Sequence, residues 1–361
     1  MKRFAFLATT IMAALPLMLA GCGGGGGGGG GGETVAGTPF TSIQLTSPAP
    51  AGSAFSVGVA INGGGLAVGF ADDGLDLKAI SWQLPASGTS VVGTILEPLA
   101  GNEYSAALGT NDDGLVVGES GDGGDANVVA VFWPAGGTTP TALSANGLFA
   151  GGASSAADVN GAGEIVGEAV ADAAGNTRAV YWSGTGADPL QLPALAGGSF
   201  SSAYAIADNG RIVGEAEDGA TGQVRAVAWD PDGAGGYQNP VPLDEVPGQV
   251  GSFAMNIAGN GRIVGEVEMA DGSVQGVVWA ADGSVLDNLG DDTSAQAMSS
   301  ANRIVGYQSA LTGSDQAALW NSANVNDNRT IGAAFSQAYD INARHQAVGV
   351  SGTEAVALVP Q

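Results

Sequence analysis

Seven Val-Gly pairs recur along the chain, small residues and glycines keep step with them, and all six tryptophans fall into one column of the same repeat. These observations predict an all-β fold of four-stranded repeats closed into a ring. That is a seven-bladed β-propeller, completed by an N-terminal strand after a signal peptide and a poly-Gly tether.

The chain divides into three parts: a signal peptide over residues 1–21, a cysteine and Gly-rich linker over 22–39, and the repeats over 40–361. Lys2 and Arg3 make a basic start, residues 4–19 are mostly apolar, and Leu19-Ala20-Gly21-Cys22 follows. A secretory signal needs those parts in that order. The stretch resembles the lipobox of bacterial lipoproteins, where cleavage leaves a lipidated cysteine as the first residue. Sixteen residues broken by Thr9, Thr10 and Pro16 are short for a span that needs ~20 apolar residues. Several acyl chains on Cys22 anchor a protein stably without a transmembrane helix. Gly23, rather than Asp, follows the cysteine, which by the same resemblance implies the outer membrane and leaves periplasmic and surface faces both open. Residues 23–32 are glycine throughout. They form a flexible leash of roughly 20 Å reach with the residues up to 38.

The Val-Gly pairs fall at Val68, Val117, Val166, Val213, Val264, Val305 and Val348, each followed by glycine, at separations of 49, 49, 47, 51, 41 and 43 residues. Three residues before each valine stand Gly65, Gly114, Gly163, Gly210, Gly261, Asn302 and His345. Those residue types take positive φ most readily, so the column reads as a tight turn between two strands. The sole histidine, His345, thereby receives a structural task. Twelve residues before each valine lie Ser56, Ser105, Ser154, Ser201, Ser252, Thr293 and Ser336, with Gly58 or an alanine two residues on. Small residues two apart share one strand face, as strands crowding a common axis require.

Trp82, Trp133, Trp182, Trp229, Trp279 and Trp320 each end a short apolar run, and Leu358 takes the place in copy seven. A tryptophan fixed at one point of a repeat packs between adjacent units. Each copy therefore reads as four strands. In the fourth copy the first covers residues 201–206, the second follows the turn over 211–215, and the third ends at Trp229. A Leu-rich piece such as Pro189-Leu190-Gln191-Leu192 supplies the last. Copy seven stops after its third strand, while FTSIQLT (residues 40–46) stands before copy one. Pairing the two ends closes the ring and removes its open edges.

Ser336-Gln337-Ala338-Tyr339-Asp340-Ile341-Asn342 and Glu164-Ile165-Val166-Gly167 carry a pattern that resembles the HAF-repeat family of bacterial extracellular proteins, across residues 40–361. The resemblance implies an exported, propeller-like repeat protein and carries over no catalytic residues. The family's histidine column holds Lys78, Val129, Arg178, Arg225, Gln275, Gln316 and Glu354 instead.

With 35 acidic and 10 basic residues, the chain has a formal charge of −25. Such a surface repels phosphate backbones and excludes nucleic acid as a partner. Cys22 is the only cysteine, so no internal disulfide forms. One turn histidine and one lipidated cysteine assemble no nucleophile–base pair. Asp230-Pro231-Asp232-Gly233 faintly suggests a calcium loop but lacks its further carboxylates, and reads as an Asp-Gly hairpin.

One column raises chemistry. Glu119, Glu168, Glu215 and Glu266 follow the glycine of the Val-Gly pair in four consecutive copies. An arc of carboxylates can face a cation such as calcium or a cationic ligand, and paired carboxylates can serve acid–base hydrolysis. The simpler reading makes them exposed strand-end charges, with Arg178 and Arg225 as hairpin partners for Glu168 and Glu215. The sequence thus points to a monomeric, membrane-tethered, non-catalytic binding or scaffold protein of the cell envelope. Its partner is an envelope protein or glycan, and it needs no cofactor. The alternative is a propeller hydrolase acting on an extracellular glycan or polymer through carboxylates.

Overall fold

A computed structural model describes residues 40–48, 55–72, 76–122, 127–146, 152–171, 174–309, 314–321, 324–334 and 336–361. Cys22 and the glycine tether lie outside the described residues. The strands form seven separate sheets, six of four strands and one of five. Each sheet is one blade of a seven-bladed β-propeller. The first strands of consecutive blades touch one another all the way round, and Ser336–Ile341 of blade seven meets Ser56–Ile61 of blade one. The small-residue segments are therefore the innermost strands.

Blade four shows the unit: Ser201–Ile206, Ile212–Glu217, Val224–Trp229 and Val241–Pro242, paired antiparallel in that order. The turn column has positive φ in every copy, from 60° at His345 and 62° at Asn302 to 83° at Gly261. His345 occupies the turn position that its column predicts.

The Val-Gly glycine has a steric cause. Every innermost strand carries a bulge, as between Ala203 and Ala205, and there its backbone presses onto the second strand. A Cβ on Gly214 would lie 2.1 Å from the Ser202 carbonyl oxygen; on Gly69, Gly118 and Gly167 the distance to the matching carbonyl is 2.0 Å. Only glycine fits.

Each gap between neighbouring blades holds its own apolar cluster, so the core is a ring of slabs. All six tryptophans are buried in these slabs. In five of them the indole N–H also donates to a carbonyl at or just beyond the end of the last strand of the preceding blade. Trp229 Nε1 bonds the Pro193 oxygen at 2.8 Å, and Trp82 bonds the Thr46 oxygen at 2.9 Å.

Phe40–Thr46 pairs antiparallel with Glu354–Pro360 and supplies the fourth strand of blade seven, as predicted. The structure adds a fifth strand that the sequence reading did not foresee. Ser90–Val92, from the blade-one segment, runs parallel along the outer side of Phe40–Thr46. The closing strand is therefore covered on both edges. Blades five and six differ from the others. Their fourth strands, Val285–Asp291 and Asn324–Ala334, are long and lead almost directly into the next blade. That missing connection accounts for the shorter repeat spacing there.

Candidate functional site

The four glutamates sit on the second strands, opposite the innermost ones: Glu119 faces Ala106, Glu168 faces Ser155, Glu215 faces Ser202 and Glu266 faces Phe253. They are not exposed strand-end charges. Glu119 and Glu168 are each 1% exposed, Glu215 is buried at 6%, and Glu266 is half-buried. The expected arginine partners lie elsewhere. Arg178 is opposite Ala169 and Arg225 opposite Ala216, one residue out of step and hence on the other sheet face. Arg225 instead pairs with Glu245 at 2.8 Å.

The glutamates meet hydroxyls. Tyr104 donates to Glu119 Oε1 at 3.3 Å, Ser294 donates to Glu266 Oε2 at 2.7 Å, and Tyr204 donates to Glu215 Oε1. Across the blade gaps the Ser155 hydroxyl approaches Glu119 and the Ser202 hydroxyl approaches Glu168 without closing a hydrogen bond, so among the described residues Glu119 Oε2 and Glu168 Oε1 find no partner. Burial pushes the Glu119 carboxyl up to about 7, offset in part by the hydroxyls of Ser155 and Tyr104. Burial raises Glu168 to about 8; the Ser202 hydroxyl opposes this, and the charges of Glu215 and Glu119 add to it. Burial also drives the Tyr204 hydroxyl well above its usual range, with Glu215 and Glu168 adding to the effect.

The carboxyls thus feel one another's charge, yet they are distributed one per blade. Among the described residues no three His, Cys, Asp or Glu side chains come together closely enough to hold a metal ion. In the Asp230 hairpin, Asp232 Oδ1 accepts the amides of Ala234 and Gly236 at 2.7 and 2.9 Å, so its own loop uses the carboxylate.

Two sets of polar contacts tie the blades together where sequence reasoning saw only small size or a motif letter. In all seven gaps the Ser/Thr column accepts a backbone N–H from the third strand of the preceding blade, at 2.8–3.0 Å. A second set is the asparagine column, six residues before the valine. Asn342 Nδ2 donates to the Asn62 carbonyl, Asn62 to Asn111, Asn111 to Asn160, and Asn160 to Ala207, at 2.8–3.2 Å. Its recurrence in four copies was the available signal. Asp158 and Asp340, on the bulges, likewise accept the amides of Ile206 and Ile61 of the next blade at 2.9 and 2.8 Å. Burial raises both carboxyls, Asp340 to about 7.

Comparison with known proteins agrees on the fold. No protein-family model matches the chain, and no curated protein matches it. Among solved structures it is similar to YCF48 bound to D1 peptide, with a TM-score of 0.55, 11% identity, and coverage of 91% of this chain and 96% of that one. It is also similar to YCF48 from Cyanidioschyzon merolae, with a TM-score of 0.50, 9% identity, and 88% and 99% coverage. Prolyl oligopeptidase B from Galerina marginata gives a TM-score of 0.50 and 10% identity over 80% of this chain and 43% of that one. At these identities the likeness is one of fold.

Proposed function

We propose that this is a non-catalytic binding or scaffold propeller, held at the bacterial outer membrane by lipid on Cys22 and a glycine leash. The observation that carries the reading is the burial of Glu119 and Glu168 in the acidic column. Acid–base hydrolysis needs carboxyls that reach substrate. Glu119 and Glu168 are 1% exposed behind the innermost strands. The serine column is likewise committed to joining blades. The partner we assign is an envelope protein or glycan. YCF48, a fold neighbour, is seen bound to D1 peptide, which supports recognition of a polypeptide by a ring of this kind.

Two arms test this. The full chain and its Cys22→Ser variant are fractionated after acyl labelling, and loss of both label and membrane association is expected in the variant. Cross-linking in intact cells should then recover a discrete envelope partner. Release of reducing ends from an extracellular glycan panel, abolished by Glu168→Gln, would establish the hydrolase reading instead.

A further inference from the structure

Six blades place a tryptophan at the end of the third strand, and blade seven does not. Leu358 stands opposite Ala347 in the register where Trp229 stands opposite Ile212. A cavity of about 130 Å³ lies at that place, walled by Ala317, Ile331 and Gly332 of blade six and Phe40, Val356 and Leu358 of blade seven.

Three residues of the wall occupy the positions that surround a tryptophan elsewhere in the ring. Ala179, Leu192 and Val227 share one cluster with Trp229, and they correspond to Ala317, Ile331 and Val356. The carbonyl that accepts the Trp229 indole belongs to Pro193, one residue beyond Leu192. The equivalent carbonyl in blade six belongs to Gly332, one beyond Ile331, and Gly332 lines the cavity. The space is thus the slot of an absent indole, with the acceptor residue still in its wall. Ala333, also on the wall, is exposed, so the slot reaches the surface of the ring.

We infer that the gap between blades six and seven binds a small aromatic molecule carrying one hydrogen-bond donor, of the indole or phenol class. A cavity of about 150 Å³ takes up a single aromatic ring, so the size is appropriate, and Ser42, Ser336 and Ser351 add hydroxyls to a wall whose side chains are otherwise apolar. The donor would meet the Gly332 carbonyl, as the indoles of five other blades meet theirs. This inference does not depend on the proposed envelope function.

Thermal unfolding of the full chain tests it, with and without millimolar indole or phenol. A ligand held only by the folded state raises Tm by mass action. Wild type should shift upward by several degrees. Leu358→Trp, which fills the slot covalently, should unfold at higher temperature without ligand and lose the response. No shift in wild type, or an equal shift in Leu358→Trp, overturns the inference. Should that variant fail to fold, wild-type crystals soaked in 4-bromophenol decide the matter. A bromine anomalous peak between Ile331 and Leu358 supports the slot; a peak elsewhere, or none, refutes it.

Discussion

The backbone N–H of Ala355 donates to the hydroxyl of Ser56 across 2.8 Å, joining the last blade to the first with a contact that six other gaps repeat. Sequence neighbours do not make this bond. It exists only when the ring is closed. Ser56→Ala leaves a buried N–H without an acceptor, at a cost of ~1–3 kcal/mol. Urea unfolding of the full chain should show the loss, with Ser201→Ala behaving alike at an interior gap. A change in neither variant would mean that water or a shifted backbone satisfies those amides.

The Val-Gly glycine predicts a larger effect from a smaller change. A methyl at Gly214 meets the Ser202 carbonyl oxygen at 2.1 Å, and a backbone atom cannot turn aside. Gly214→Ala should destabilise by ~1–3 kcal/mol or more through overpacking. The same substitution at Gly222, a turn position with nothing near its Cβ, meets no such wall and is limited by its positive φ of 73°. Gly214→Ala should therefore unfold at lower denaturant than Gly222→Ala, and the reverse order would contradict the bulge argument.

How far was this legible in the residues? The periodic columns gave the blades, the turn and the closing strand, because each reflects a local rule that every copy obeys. The glutamates were misplaced for a definable reason. The second strand was expected to end at Glu215, but it runs Ile212–Glu217, which carries that side chain inside the sheet. Burial then follows from the adjacent blade, which no single repeat encodes. The serine column was seen as small, and its hydroxyl acquires meaning only from a partner amide in the preceding blade, 17 to 26 residues away at six gaps and 299 at the seventh. The Ser90–Val92 strand has no counterpart in other copies, so no column announces it.

The buried carboxyls give a pH dependence of fixed sign. Glu119 and Glu168 have ordinary values of 4.5, raised by burial to about 7 and about 8. The stability they confer is fully present below the unfolded value and is lost as pH rises through the folded ones. Tm should therefore fall between about pH 5 and about pH 8. In the Glu119→Gln, Glu168→Gln double variant that fall should be reduced. An unchanged pH profile in the variant would show that the two groups ionise freely.

Calcium separates two readings of the same column. If Glu119, Glu168, Glu215 and Glu266 bound a cation only in the folded state, millimolar calcium would raise Tm in wild type and not in the four-Gln variant. One carboxyl per blade, with no three acidic groups together among the described residues, argues for equal responses. A shift confined to wild type would establish the cation site.

The closing strand is the most direct test of the architecture. Phe40–Thr46 pairs with Glu354–Pro360 on one side and Ser90–Val92 on the other. Hydrogen exchange of the Glu354–Pro360 amides, measured in the full chain and in a chain lacking residues 40–46, reads that pairing. A closed ring predicts strong protection in the first and rapid exchange, with aggregation through the bared edge, in the second. Equal protection in both, with equal monomer yield, would contradict a propeller closed by its N-terminal strand.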